Sequence, residues 1–190
     1  MPKPCAPFDR SRKPLDAAKL DELALAYVAR FATSRAKLLR YLARKVRESE
    51  WLDECDAMAA CEAIADRMAR LRYLDDRQYA AMRGQAMTRR GLGARRVKAQ
   101  LYVDGIAAAD SREAIAAAER EAVAAAVGFA RRRRLGPFAL RADDDPRLRE
   151  RQVAAFARAG HSPALARRIL GVAPGDLDAL AALDAEVALD

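Results

Sequence analysis

Apolar residues recur along this chain at spacings of three and four, and that period predicts helix after helix. The first stripe runs over 15–31 through Leu20, Leu23, Ala24, Tyr27, Val28 and Phe31. Ser34 is placed to cap a second helix that buries Leu38, Leu39, Leu42 and Val46. Asp53 opens a third, through Met58, Ile64, Met68 and Leu71. Asp75 and Gln78 fit a capping box, with Leu74 and Tyr79 as its hydrophobic staple, so a fourth helix starts at Asp76 and runs to Arg90. Gly91 suits the left-handed residue that ends it, and Gly93 lets the chain turn again. A short helix over 94–103 puts Val97 and Leu101 inward and stops at Gly105. Asp110 with Glu113 repeats the capping pattern before a long Ala-rich helix to Arg134, loosened at Gly128. Pro146 suits the first turn of the next helix, which carries Leu148, Val153 and Phe156 and ends at Gly160. Ser162 caps a last short helix through Leu165, Ile169 and Leu170.

Three of these short helices repeat. They start at Ser34, Gly93 and Ser162, offsets of 59 and 69 residues. Each has an apolar or small residue four positions on (Leu38, Val97, Ala166) and a leucine eight positions on (Leu42, Leu101, Leu170). The pattern reads as an all-α chain of helix-turn-helix-like repeats. It divides into a disordered basic arm (1–14), a helix pair (15–50) and a three-helix repeat (51–106). A third repeat (107–172) follows, with a loop at 135–146, and then an acidic tail (173–190).

Composition agrees with helices, because the 52% hydrophobic content is mostly Ala and Leu and aromatics are only 6%. Charge changes the picture more. Thirty-five Lys and Arg against 27 Asp and Glu leave +8, which favours a polyanionic partner, nucleic acid first. Enzyme motifs do not emerge. No phosphate-binding P-loop and no G-x-S-x-G nucleophile elbow is present, and the only histidine, His161, reads as a turn residue. The three cysteines, Cys5, Cys55 and Cys61, share no metal-ligand spacing, so neither metal nor cofactor is expected, and free thiols suit a reducing cytosol. The N-terminus lacks the apolar core of a signal peptide, and no apolar run reaches spanning length. The expectation is a cytoplasmic, non-enzymatic monomer.

The basic residues gather around the repeated turns. Arg83, Arg89, Arg90, Arg95, Arg96 and Lys98 flank the turn at Gly91–Gly93, Arg131, Arg132, Arg133 and Arg134 follow each other in one run, and Arg167 and Arg168 sit on the last short helix. At related positions of repeated units, these three clusters suggest one extended basic surface for nucleic acid, an acidic protein groove, or both.

The stretches "YLDDRQYA" and "RRGLGARRVKAQLYVDGI" resemble the central signature of the RecX family, bacterial regulators of the RecA recombinase. The match runs through Leu74, Asp75, Asp76, Tyr79, Arg89–Gly93, Arg95, Arg96, Leu101, Gly105 and Ile106. "RLRERQVAAFARAGHSPALARRIL" is similar to the family's last repeat, and the first unit matches more loosely through Ser34 and Leu38–Leu42. The resemblance implies tandem three-helix repeats in an elongated, curved molecule. It also implies binding in the groove of the RecA filament on single-stranded DNA, with inhibition of strand exchange, ATP hydrolysis and co-protease activity. The implied setting is homologous recombination, DNA repair and the SOS response, with single-stranded DNA a weak or accessory ligand. The alternative is a nonspecific or helix-turn-helix-type DNA-binding protein. In that case a short helix enters a groove, with Gln100 available to read bases.

Overall fold

A computed structural model describes residues 12–141 and 145–187. Among them it forms ten α-helices and two three-residue strands, an all-α architecture as the periodicity predicts. The chain divides into two compact units, 1–79 and 80–190.

The first unit holds β1 (Lys13–Leu15), α1 (Ala17–Arg30), α2 (Arg35–Glu48), β2 (Ser49–Trp51), α3 (Ala57–Arg70) and the start of α4 (Asp76–Arg89). Its core joins Leu15, Leu20, Ala24, Leu38, Leu42, Cys61, Ile64, Ala65, Met68 and Leu74. Two departures from the sequence expectation appear here. Lys13 and Pro14, read as the end of a disordered arm, pair in parallel with Ser49 and Glu50, and Leu15 is buried; the rest of that arm, 1–11, lies outside the described residues. Asp53 does not open α3. Asp56 caps it instead, accepting from the Ala59 N–H at 2.8 Å.

Asp53 caps a different helix: its carboxylate accepts from the Ala17 N–H at the start of α1, 2.7 Å away. The Asp75–Asp76 doublet divides its work in the same way. Asp75 caps its own helix through the Gln78 N–H at 2.8 Å, while Asp76 accepts from the Arg35 N–H, the first of α2, at 2.8 Å. A helix start leaves four N–H groups without partners, and one good cap stabilises it by about 1 kcal/mol. Helix α2 thus has two, because Ser34 Oγ also accepts from the Lys37 N–H. Lys37 Nζ in turn donates to the Tyr79 hydroxyl at 2.9 Å, which gives the aromatic of the fourth helix a definite anchor.

The second unit contains the remainder of α4, α5 (Ala94–Val103), α6 (Ala108–Arg120), α7 (Ala122–Arg133), α8 (Pro146–Ala159), α9 (Pro163–Leu170) and α10 (Leu177–Val187). The single Ala-rich helix expected from Asp110 to Arg134 is two helices. The break falls at Glu121 (φ −92°, ψ 14°), not at Gly128, and the start is capped at Ala107 without any side chain from Asp110. The reason is tertiary: α6 packs on α5, whereas α7 packs on α9, so one straight helix would not serve both. Val123, Ala126, Phe129 and Ala130 of α7 close over Phe156, Ala166, Ile169 and Leu170. The acidic tail forms α10, capped by Asp176 and seated against α7 through buried Leu180.

The helices α2, α5 and α9 share the predicted register, although α2, at 14 residues, is not short: it is as long as α1 and α3. Their caps Ser34, Gly93 and Ser162 are extended, and Leu38, Val97, Ala166, Leu42, Leu101 and Leu170 are all buried.

Candidate functional site

In the second unit, two of the repeated turns interlock. The turn Gly91–Leu92–Gly93 lies against Gly160–His161 at the end of α8. The Gly93 N–H donates to the Ala159 carbonyl at 2.9 Å, and His161 Nε2 sits 3.0 Å from the Gly91 carbonyl. A methyl group on Gly93 would strike the Gly160 carbonyl, and one on Gly160 would meet the Arg96 nitrogen at 2.5 Å. Only glycine permits this approach. Beneath the turns, Phe156 meets Phe129 edge-on at 4.8 Å, and His161 contacts both rings at 5.7 Å.

This scaffold places Arg96 of α5, Arg133 of α7 and Arg158 of α8 around one groove of about 500 Å³, floored by Leu92, Phe129, Ala155 and Ala159. No acidic residue lines it, and none of the three arginines is ion-paired among the described residues. Arg133 lies over the Phe129 ring, 5.7 Å from its centre, which limits where its guanidinium can go. Three exposed cations around an apolar floor suit an anion: guanidinium groups fork onto phosphate or carboxylate oxygens.

Of the residues singled out from the sequence, the groove collects Arg96 and Arg133. Arg158 was missed, because it stands on α8 with no basic neighbour in the sequence run and only the fold brings it in. The others are elsewhere. Arg83 pairs with the buried Asp104, 3.6 Å away, while its own side chain stays 39% exposed, outside the groove. Gln100 is also committed to Asp104, at 3.1 Å. Four consecutive arginines at 100° intervals cannot share a face: Arg131 covers Phe138 at 5.1 Å, Arg132 lies against Gly91, and Arg134 takes the left-handed turn that ends α7. Arg89, Arg90, Arg95, Lys98, Arg167 and Arg168 are exposed on α4, α5 and α9 outside the groove lining. Gly91 and Gly105 are left-handed, at φ 72° and 78°. Leu74, Tyr79 and Leu101 are buried. No group of His, Cys, Asp or Glu among the described residues could hold a metal ion.

His161 is the polar member of this core. A carbonyl oxygen only accepts, so Nε2 carries the proton it donates to Gly91, and Nδ1 is left buried without a partner. Burial pushes its pKa below the ordinary histidine value, against a smaller upward pull from the Gly91 carbonyl. The unfolded chain therefore takes up this proton first as pH falls. Stability is unaffected above the ordinary value near 6.5 and declines below it until the folded pKa is passed. Because this is the single histidine, urea midpoints should fall as the pH is lowered below about 6.5, with the slope removed in His161→Gln. A slope that survives in that variant would assign the effect to other groups.

No family model matches the chain. A regulatory protein RecX from Myxococcus xanthus (strain DK1622) is 31% identical over 160 residues, covering 82% of this chain and 86% of the relative. A crystal structure of a regulatory protein RecX shares the fold, with a TM-score of 0.60 at 18% identity over 80% of this chain and 70% of that one. The Asp–Asp doublet that caps two helices, the glycine turns that interlock and the identity over most of both chains lead to one conclusion: the chain belongs to the RecX family.

Proposed function

We propose that this protein is a non-enzymatic regulator that binds the RecA–single-stranded DNA filament and inhibits its strand exchange, ATP hydrolysis and co-protease activity. The observation that carries the reading is the acid-free groove of Arg96, Arg133 and Arg158. A cationic site locked by backbone contact suits a partner that presents carboxylates or phosphates in a fixed array. Further contacts to the same filament add to the groove through effective concentration. Bound this way, the chain obstructs the path of a second DNA and resists protomer motion. Cytoplasmic location, a monomeric state and a role in recombination and the SOS response belong to the same proposal. Single-stranded DNA enters as an accessory ligand. Sequence-reading of duplex DNA is the weaker alternative, because Gln100, the polar side chain of α5 suited to base edges, is bonded to Asp104.

The test is the single-stranded-DNA-dependent ATPase of the cognate recombinase with this protein titrated in. Inhibition at or below one chain per protomer is expected. No inhibition up to equimolar ratio overturns the proposal.

A further inference from the structure

A second surface on the same unit has a different chemistry. Tyr102, near the end of α5, is 82% exposed, although the residue before it, Leu101, is fully buried. Its ring stacks on no other ring among the described residues. Arg95, Lys98 and Tyr102 stand at i, i+3 and i+7, so they share one face of α5 within about 11 Å along the axis. Tyr102 and Lys98 line a shallow groove of about 360 Å³ between α5 and α6, with Ile106, Ala108 and Ile115 as its apolar floor and Arg112 on its rim. Arg95, Lys98 and Arg112 carry no ion pair among the described residues. Glu119 is the one acid in the lining. Glu113, nearby on α6, is paired with Arg120 at 2.8 Å.

We propose that the Tyr102 groove is a single-stranded nucleic-acid site, in which Tyr102 stacks on a base while Lys98, Arg95 and Arg112 hold the adjoining phosphates. The chemistry selects this occupant. A ligand for this face must offer a flat apolar surface and negative charge within one helical turn of each other, and a nucleotide supplies both. An acidic protein surface would satisfy the cations and leave the ring unmatched. Stacking tolerates any base, since every base has a π-face, so binding here is not sequence-specific. On α5 this face adjoins Arg96 across Ala99, so a strand leaving Tyr102 meets the arginine groove next. The inference rests on the accessory role of single-stranded DNA proposed above, and its test contains no recombinase, so the two readings fail separately.

The full chain is titrated, at low salt, into a dye-labelled twelve-nucleotide oligothymidylate and into an abasic oligonucleotide of the same length. Tyr102→Ala is expected to weaken oligothymidylate binding about tenfold and to leave abasic binding unchanged. Tyr102→Phe keeps the ring and is expected to bind as the parent does. Lys98→Ala weakens both ligands and reduces the salt slope by about 0.7 for each phosphate no longer neutralised. Equal binding of oligothymidylate by Tyr102→Ala and the parent overturns the proposal. So does an equal loss on both ligands, or no binding of either.

Discussion

Replacing Arg96, Arg133 and Arg158 together by glutamate is expected to abolish inhibition of the recombinase ATPase, raising the half-inhibitory concentration at least a thousandfold. The magnitude follows from the chemistry of the groove. A hydrogen bond to a charged group contributes roughly 1.5–3 kcal/mol, so removing three such bonds exceeds the ~4 kcal/mol that a thousandfold represents, before any repulsion from the new carboxylates. The fold should persist, because the three side chains have no ion-pair partner to strand; the identified cost is the packing of Arg133 on Phe129, worth about 0.5–1 kcal/mol. Net charge is controlled by a second triple, Arg30, Arg70 and Arg151 to glutamate, which changes the total equally at exposed positions outside the groove. That control should inhibit within a few fold of the parent at 0.15 M salt, where the Debye length is about 8 Å. If the two triples lose inhibition equally, the groove has no special role and net charge alone explains the effect.

The second large effect concerns the interlocked turns. Gly160→Ala is expected to destabilise the protein by about 3 kcal/mol, since the new methyl meets the Arg96 nitrogen at 2.5 Å and the backbone sits at φ 94°. Gly93→Ala should cost about 2 kcal/mol: its dihedrals are ordinary (φ −78°), but its methyl meets the Gly160 carbonyl. Two other glycines separate these terms. Gly175 has φ 85° with nothing near its missing Cβ, so Gly175→Ala carries only the left-handed strain of about 1 kcal/mol. Gly128 lies inside α7 with only the ends of the Arg132 side chain at 3.7 Å, so Gly128→Ala should be neutral or stabilising by up to about 1 kcal/mol. Urea unfolding followed by circular dichroism gives the order. Gly93→Ala with parental stability would mean that the turns do not meet as closely as described. The same variant should also weaken inhibition, because the locked turns position Arg96.

The stops and starts of the helices were legible because they are local. Ser34, Asp75 and Ser162 satisfy N–H groups three residues away, and Gly91, Gly105 and Gly160 take left-handed φ where a side chain would be strained. The inward positions Val97, Leu101, Ala166 and Leu170 followed from period alone. Errors fell where a residue serves something distant. Asp53 and Asp76 look like caps for the helices beside them, yet both accept from helices 36 and 41 residues away. His161 does lie in the turn after α8, as read, but no local pattern reveals that its ring reaches the carbonyl of Gly91, 70 positions back.

The amino-acid pattern by itself determined an all-α chain, the register of its short helices and the excess of arginine, for these depend on periodicity, caps and composition. Tertiary structure decided which arginines line one groove. Arg96, Arg133 and Arg158 meet because Gly93 and Gly160 allow two backbones to touch, and α7 turns away from α6 at Glu121 to pack on α9. A short-range pattern records what each residue does to its own turn of helix. It does not record which turn of another helix will lie against it, and that choice is made by the packing of the whole core.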